Sequence, residues 1–257
     1  MRELKFIEWE QDGAVATVWL NRPPVNATDG ETYTEIKEFF DNVLVYVPDA
    51  RAVVLAARGK HFCAGNDLSE FQTMDPANAA ASLKRAREAF WAIYDCPLPI
   101  IAAVQGVAVG SGLAIAASCD VVIAAEGARF ATPEVDVGVL GGAKHLSRLV
   151  PQGVVRLMYY TGDQYPAEKL QPFGGIAEVV PQAQLLRTAR ALARSMARHS
   201  PVTLRLAKRS LNAIEYMDLK AGYEYEQERT RELSGYEDSK EAVNARVEGR
   251  PPVYTGR

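Results

Sequence analysis

Two glycine-bearing turns are the segments of this sequence best suited to chemistry: Phe62-Cys63-Ala64-Gly65-Asn66-Asp67-Leu68 and Gly106-Val107-Ala108-Val109-Gly110-Ser111-Gly112-Leu113-Ala114. Glycine lets a backbone approach a ligand closely. A helix that begins at such a turn leaves its first amides unpaired and its end partly positive. Two amides converging on one oxygen make an oxyanion hole, in which a single donor is worth about 3–4 kcal/mol of transition-state stabilisation. Tight helix–strand packing calls for the same glycines. A dinucleotide-binding fingerprint is a rival chemistry, and it fails at its third glycine, where Ile115 stands.

Strands and helices must hold these turns in place. Residues 13–21 are apolar and β-branched after a turn at Asp12-Gly13, which predicts a strand that Pro23-Pro24 stops. Thr28 and Glu31 have the spacing of a capping box, and Ile36, Phe39, Phe40, Val43, Leu44 and Val47 recur at helical intervals behind it. A strand over 51–56 leads through Arg58-Gly59-Lys60-His61 into the first turn. Leu83, Ala86, Phe90 and Ile93 mark the apolar face of a further helix. A strand over 100–105, the second turn, a short helix of small residues and a strand over 121–124 follow. Strands that are apolar on both faces and alternate with helices predict an α/β fold with parallel sheets. Beyond about residue 182 the spacing predicts successive helices, over 185–217 and 223–247, with dense charge on one face. Such helices cap a core or pair with another subunit.

At 257 residues and 48% hydrophobic content, the chain builds one sizeable core, alone or with a small appendage. A formal net charge of −3 argues against nucleic-acid binding by phosphate neutralisation. Cys63, Cys96 and Cys119 are widely spaced within or beside apolar runs, a pattern of neither disulfides nor zinc, and three histidines are too few for a His-rich metal site. The first nine residues lack the apolar segment of a signal peptide. The longest apolar run, 98–125, is interrupted by Gln105, glycines, Ser118 and Asp120. The expectation is a cytoplasmic protein with no membrane span.

The order of several motifs adds to this reading. Leu20-Asn21-Arg22-Pro23, the two glycine turns, Cys119-Asp120, Phe130-Ala131-Thr132-Pro133-Glu134 with Gly138, Ser200-Pro201, Ala207-Lys208 and Gly249-Arg250-Pro251-Pro252 resemble the successive motifs of the crotonase (enoyl-CoA hydratase/isomerase) family. The likeness spans nearly the whole chain. It implies a spiral of repeated ββα units over residues 1–195 carrying an acyl-CoA site, and a C-terminal helical oligomerisation region over 196–257. It further implies a homotrimer or a dimer of trimers, for which Tyr223, Tyr225 and Tyr236 are candidate interface residues.

Carried over residue by residue, the resemblance puts the oxyanion donors on the backbone N–H groups of Asn66 and Ser111, neither needing its side chain for the task. It makes Glu134 the carboxylate that moves a proton at the substrate α-carbon. Its apolar neighbours Phe130, Val135, Val137 and Val139 would raise its pKa by burial. The hydratases of the family carry a second glutamate where this chain has Ala114. That departure favours double-bond isomerisation, which needs one carboxylate, or an atypical hydration. Hydrolysis or C–C cleavage of a CoA ester, and a non-catalytic CoA-binding role, are the alternatives. The resemblance also implies CoA or substrate contacts at Arg22, Lys60, Ala64, Asp67, Leu68, Gly110, Gly142, His145 and Lys208 (or Arg250), with Asp67 ordering its loop and His145 as a second acid–base candidate. Asp136 could point the same way as Glu134 from an extended segment, or sit at the surface. Phe71, Met74, Phe90, Leu140 and His145 would shape the acyl pocket. No cofactor beyond the CoA moiety is implied.

Overall fold

The computed structural model describes residues 3–72 and 74–257. An antiparallel hairpin, β1 (Ile7–Asp12) and β2 (Val15–Leu20), opens the chain. Then come α1 (Gly30–Asp41), α2 (Val43–Tyr46), β3 (Ala52–Ala57), α3 (Ser69–Gln72) and α4 (Ala79–Tyr94). The middle of the chain runs β4 (Ile100–Val104), β5 (Val107–Val109), α5 (Ser111–Ser118), β6 (Val121–Ala125) and β7 (Arg129–Ala131). After a 3-10 turn over Pro133–Val137 follow α6 (Ala143–Leu146), α7 (Gln152–Thr161), β8 (Tyr165–Pro166), α8 (Ala167–Leu170) and β9 (Glu178–Val180). Four helices close it: α9 (Leu185–Ala197), α10 (Pro201–Ile214), α11 (Leu219–Leu233) and α12 (Glu237–Glu248).

The large sheet has the order β1-β2-β3-β4-β6-β9 and is parallel from β2 onward; a small sheet has the order β5-β7-β8. β4 with β5, and β6 with β7, each send one strand to the large sheet and one to the small. Isolated bridges Cys63↔Ala108 and Thr28↔Asn66 extend the small ladder back into the earlier turns. This repetition is the ββα spiral that the motifs imply.

Every residue of β2, β3 and β4 is buried, as a sheet covered on both faces requires. Alternation sorts their side chains. Val53 and Leu55 face Ile36, Phe39, Phe40 and Ile93 in the main core. Val54, Ile101 and Ile123 face Leu185, Ala189 and Ala193 of α9 on the opposite side. Arg190 of α9 also reaches the sheet, donating to Thr17 Oγ1 at 3.0 Å. The boundary expected at residue 195 therefore falls inside a helix that belongs to the sheet.

Two local expectations are corrected. The N-cap of α1 is Asp29, which accepts from the Thr32 N–H at 2.8 Å, and Thr28 is buried instead. A helix of two turns does begin at the second glycine turn, but the first is followed by the four-residue α3. Among the described residues no helix is long and apolar enough to cross a membrane, and no cluster of three His, Cys, Asp or Glu could hold a metal.

Candidate active site

The two glycine turns meet each other. The Gly65 carbonyl accepts from Thr28 N, and Asp67 N donates to the Thr28 carbonyl, both at 2.8 Å. C=O and N–H oppose each other across a trans peptide, so the Asn66 N–H points away from Thr28. In the second turn the Gly110 carbonyl accepts from Ala114 N at 3.0 Å, which aims the Ser111 N–H backwards out of the start of α5. Gly110 has φ +53°, and a Cβ there would lie 3.9 Å from Gly65 Cα and 3.6 Å from Glu134 Oε1. Both turns and the carboxylate thus border one small space.

Glu134 is held by the 3-10 turn after β7, with Pro133 at its first position and Gly138 closing it at φ +71°. Burial pushes its carboxyl up to about 7, and Oε2 is buried with no partner among the described residues. Val135 and Val137, expected to supply that burial, point outward and are exposed. The carboxylate is enclosed by backbone instead: a Cβ on Gly142 would sit 2.9 Å from Oε1. Ala114 and Val139 line the same cavity.

That cavity holds about 360 Å³, and Phe71, Met74, Phe90 and Leu140 are among its walls, as expected. Ala114 stands at its edge, 2% exposed, with no proton to offer. A second carboxylate does line the cavity. Glu70 on α3 accepts from the Gly30 N–H at 2.9 Å through Oε1, and so is tied to the start of α1. His145 is not a wall residue. Its ring packs edge-on against Phe90 with centroids 5.2 Å apart. Burial, with Arg148 nearby, pushes its pKa down to about 4, so the imidazole is neutral at pH 7 and holds no proton to donate as a cation. Asp136 turns away toward Gly162.

Sequence reasoning missed a buried chain of hydroxyls beneath the two turns. Ser111 Oγ lies 2.7 Å from Thr28 Oγ1, Thr28 Oγ1 donates to Tyr33 Oη at 2.9 Å, and Tyr33 Oη donates to Asn66 Oδ1. The side chains of both amide-bearing residues are therefore tied through α1 and the loop before it. Burial raises the Tyr33 hydroxyl far above its ordinary pKa, so it remains a donor. The signal was present: Tyr33 lies three residues before Ile36, on the buried face of its helix, and a buried tyrosine hydroxyl needs a partner.

The expected CoA contacts divide. Lys60 and Leu68 are exposed, and Ala64 N donates to the Val25 carbonyl at 3.1 Å. Arg22 is engaged within the chain, with Asp29 at 2.9 Å, Asp67 at 3.0 Å and the Ala27 carbonyl at 2.9 Å. Asp67 also accepts from Ser69 Oγ at 2.8 Å; Ser69 and Arg22 hold its carboxyl below the usual range, and it orders the loop. Lys208, expected at the phosphates, is buried, with Nζ 2.7 Å from Asp120 and 3.1 Å from the Leu98 carbonyl. Asp120 accepts in turn from Ile100 N at 2.7 Å, so this lysine pins α10 to the core. Arg250 is spent on Glu241 and Glu248.

The chain matches the family model described as enoyl-CoA hydratase/isomerase over residues 10–257. It is 41% identical over 223 residues to a (7aS)-7a-methyl-1,5-dioxo-2,3,5,6,7,7a-hexahydro-1H-indene-carboxyl-CoA hydrolase of Rhodococcus jostii, covering 86% of this chain and 85% of the relative. It is 33% identical over 253 residues to a short-chain-enoyl-CoA hydratase of Clostridium acetobutylicum, covering 96% and 97%. Among solved structures, Pseudomonas aeruginosa DspI superposes with a TM-score of 0.93 at 32% identity, over 99% of this chain and 98% of that one.

Proposed function

The chain belongs to the enoyl-CoA hydratase/isomerase family, and from that premise we propose that it processes an acyl-CoA thioester through an enolate, with Glu134 as its single proton-transfer carboxylate. The thioester oxygen sits between the N–H groups of Asn66 and Ser111, which hold it most strongly as negative charge develops. Glu134 removes the α-proton and returns it at the γ-carbon, giving double-bond isomerisation, or serves a hydration that does without a second glutamate. The observation that carries this reading is the pairing of a buried carboxylate of pKa about 7 with Ala114 across the same cavity. A group so poised both takes and gives a proton near neutral pH. No cofactor beyond the CoA moiety of the substrate enters the scheme.

A second reading, hydrolysis of a CoA-linked substrate, is favoured by the 41% identity to the Rhodococcus hydrolase. Here Glu134 activates water while the same two amides take the developing oxyanion. Assembly as a homotrimer or dimer of trimers completes the proposal, supported by the exposed apolar side chains on α11 and α12.

The test incubates butyryl-CoA in heavy water with the wild type and with Glu134→Gln, following deuterium uptake by mass spectrometry. Uptake by the wild type alone supports the enolate and its base. Vinylacetyl-CoA and crotonyl-CoA then separate isomerisation from hydration, and release of free CoA detects thioester hydrolysis. CoA-ester binding with no uptake by either protein would overturn the α-proton mechanism and leave hydrolysis.

A further inference from the structure

The hydroxyl chain beneath the turns has a direction, and the direction has a consequence for substrate choice. Thr28 donates to Tyr33, and Tyr33 donates to Asn66 Oδ1. Thr28 Oγ1 also lies 3.4 Å from the Gly65 carbonyl, and either oxygen can donate in its 2.7 Å contact with Ser111. Oδ1 of the Asn66 amide thus lies on the inner side, in reach of both Tyr33 Oη and Thr28 Oγ1, the latter at 3.3 Å. The surroundings keep it fixed: Thr28, Tyr33 and Ser111 are buried, and the Tyr33 ring packs edge-on to Phe90 with centroids 5.7 Å apart.

With Oδ1 committed inward, the Nδ2 end of Asn66 is the free end. Asn66 lines the cavity, and among the described residues its Nδ2 donates to nothing and is not a buried orphan. Two N–H donors of a neutral amide therefore stand open on the wall, one side chain's length from the backbone N–H of the same residue. Phe71, Met74, Phe90 and Leu140 make much of the wall apolar, with Glu70, Ser82 and Glu134 as polar side chains among them. A donor in such company discriminates well, because an acyl chain with no acceptor leaves it unpaired.

We propose that the Asn66 carboxamide, oriented by Tyr33 and Thr28, selects acyl-CoA substrates that carry an oxygen acceptor close to the thioester, such as a 3-hydroxy or 3-oxo group, over plain acyl chains. The inference rests on the reading that the Asn66 N–H holds the thioester oxygen, since that contact brings the first carbons of the acyl chain within reach of Nδ2. Tyr33 and Thr28 are positioning residues in this scheme; Asn66 is the one that touches substrate.

The test measures dissociation constants by isothermal titration calorimetry for butyryl-CoA, 3-hydroxybutyryl-CoA and acetoacetyl-CoA. The proteins are the wild type, Asn66→Leu, Asn66→Ala and Tyr33→Phe, each checked for folding by circular dichroism. The wild type is expected to prefer at least one oxygenated ester roughly five- to tenfold over butyryl-CoA, the range of one added hydrogen bond. Asn66→Leu and Asn66→Ala, which keep the backbone N–H, bring that ratio to about one, whatever common change in affinity the three esters share. Tyr33→Phe lowers the ratio partway, since it frees the amide to turn. The preference between the two oxygenated esters tells a hydroxyl partner from a ketone. Equal wild-type affinity for all three esters, or a parallel loss for all three in the Asn66 variants, would overturn the inference and leave the proposed reaction standing. Failure of every ester to bind the wild type would overturn both.

Discussion

Glu134 and Tyr33 show what a residue type reveals and what it hides. The motif around Pro133 identifies Glu134, but of its four apolar sequence neighbours only Phe130 and Val139 stay inside, because a 3-10 turn throws Val135 and Val137 outward. The enclosing groups, Gly110 and Gly142, lie outside its own turn and carry no side chain, so the sequence marks them as site glycines without showing that they border this carboxylate. A carboxyl raised from 4.5 to about 7 has two measurable consequences. As a base it works deprotonated, so kcat/KM for α-proton exchange should fall tenfold per pH unit below about 7 and level off above it. Glu134→Gln should lower exchange about 10²- to 10⁴-fold. For stability the sign runs the other way. The neutral carboxyl suits the fold, so stability is greatest below pH 4.5 and is lost as pH rises through about 7. Thermal melts should therefore show Glu134→Gln matching the wild type at pH 4 and melting on the order of 2–4 °C higher at pH 8.5. A wild type equally stable at both pH values relative to the variant would deny the shift.

At the scale of elements, β2, β3, β4 and β6 of the large sheet are legible because both of their faces are buried, which writes an unbroken apolar run, whereas its edge strands β1 and β9 are partly exposed and write none. The strands of the small sheet are not legible, since β5 and β7 have three residues each and β8 two, too few for any periodicity. Thr28 was read as a helix cap because capping and site roles ask for the same residue one position apart. The resemblance assigns Lys208 to CoA because a sequence does not show that its helix docks over Asp120. Two element-scale outcomes follow. Lys208→Met removes the cation that compensates Asp120 and should cost about 2–3 kcal/mol in urea unfolding, less than a fully buried pair because Asp120 is partly exposed. Gly142→Ala introduces a Cβ 2.9 Å from Glu134 Oε1 at φ +73°, which displaces the carboxylate. It should lower exchange activity about 10²-fold or more, at a cost to stability of about 1–2 kcal/mol. A variant that loses stability and keeps full activity would show that the placement of Glu134 is not set by this loop.

The whole molecule leaves its last two helices with apolar side chains turned to solvent. Leu219 of α11 is 88% exposed and Val247 of α12 is 82% exposed, with Tyr223 and Val243 also open. These helices are not loosely held. Asp238 at the start of α12 accepts from Ser200 Oγ at 2.6 Å and from Thr255 N at 2.8 Å, binding the tail to the start of α10. A firmly anchored surface that keeps such residues in water gives up about 25 cal/mol for every Å² of apolar area it could bury. Stable protein interfaces remove roughly 1,200–2,000 Å² in all, and side chains of this size spread along two helices suit such an area. The proposed homotrimer or dimer of trimers would sediment at equilibrium, at micromolar concentration, with three or six times the mass of the 28.1 kDa chain. Leu219→Asp combined with Val247→Asp puts a charge on each helix without touching the core, since both side chains are exposed. The variant should sediment as a lighter species while keeping the far-ultraviolet spectrum of the wild type. A wild type that sediments at the mass of one chain would refute the oligomer, and a doubly substituted protein of unchanged mass would place the contact on another face. Activity measured on the lighter species would then tell whether one chain completes its own cavity.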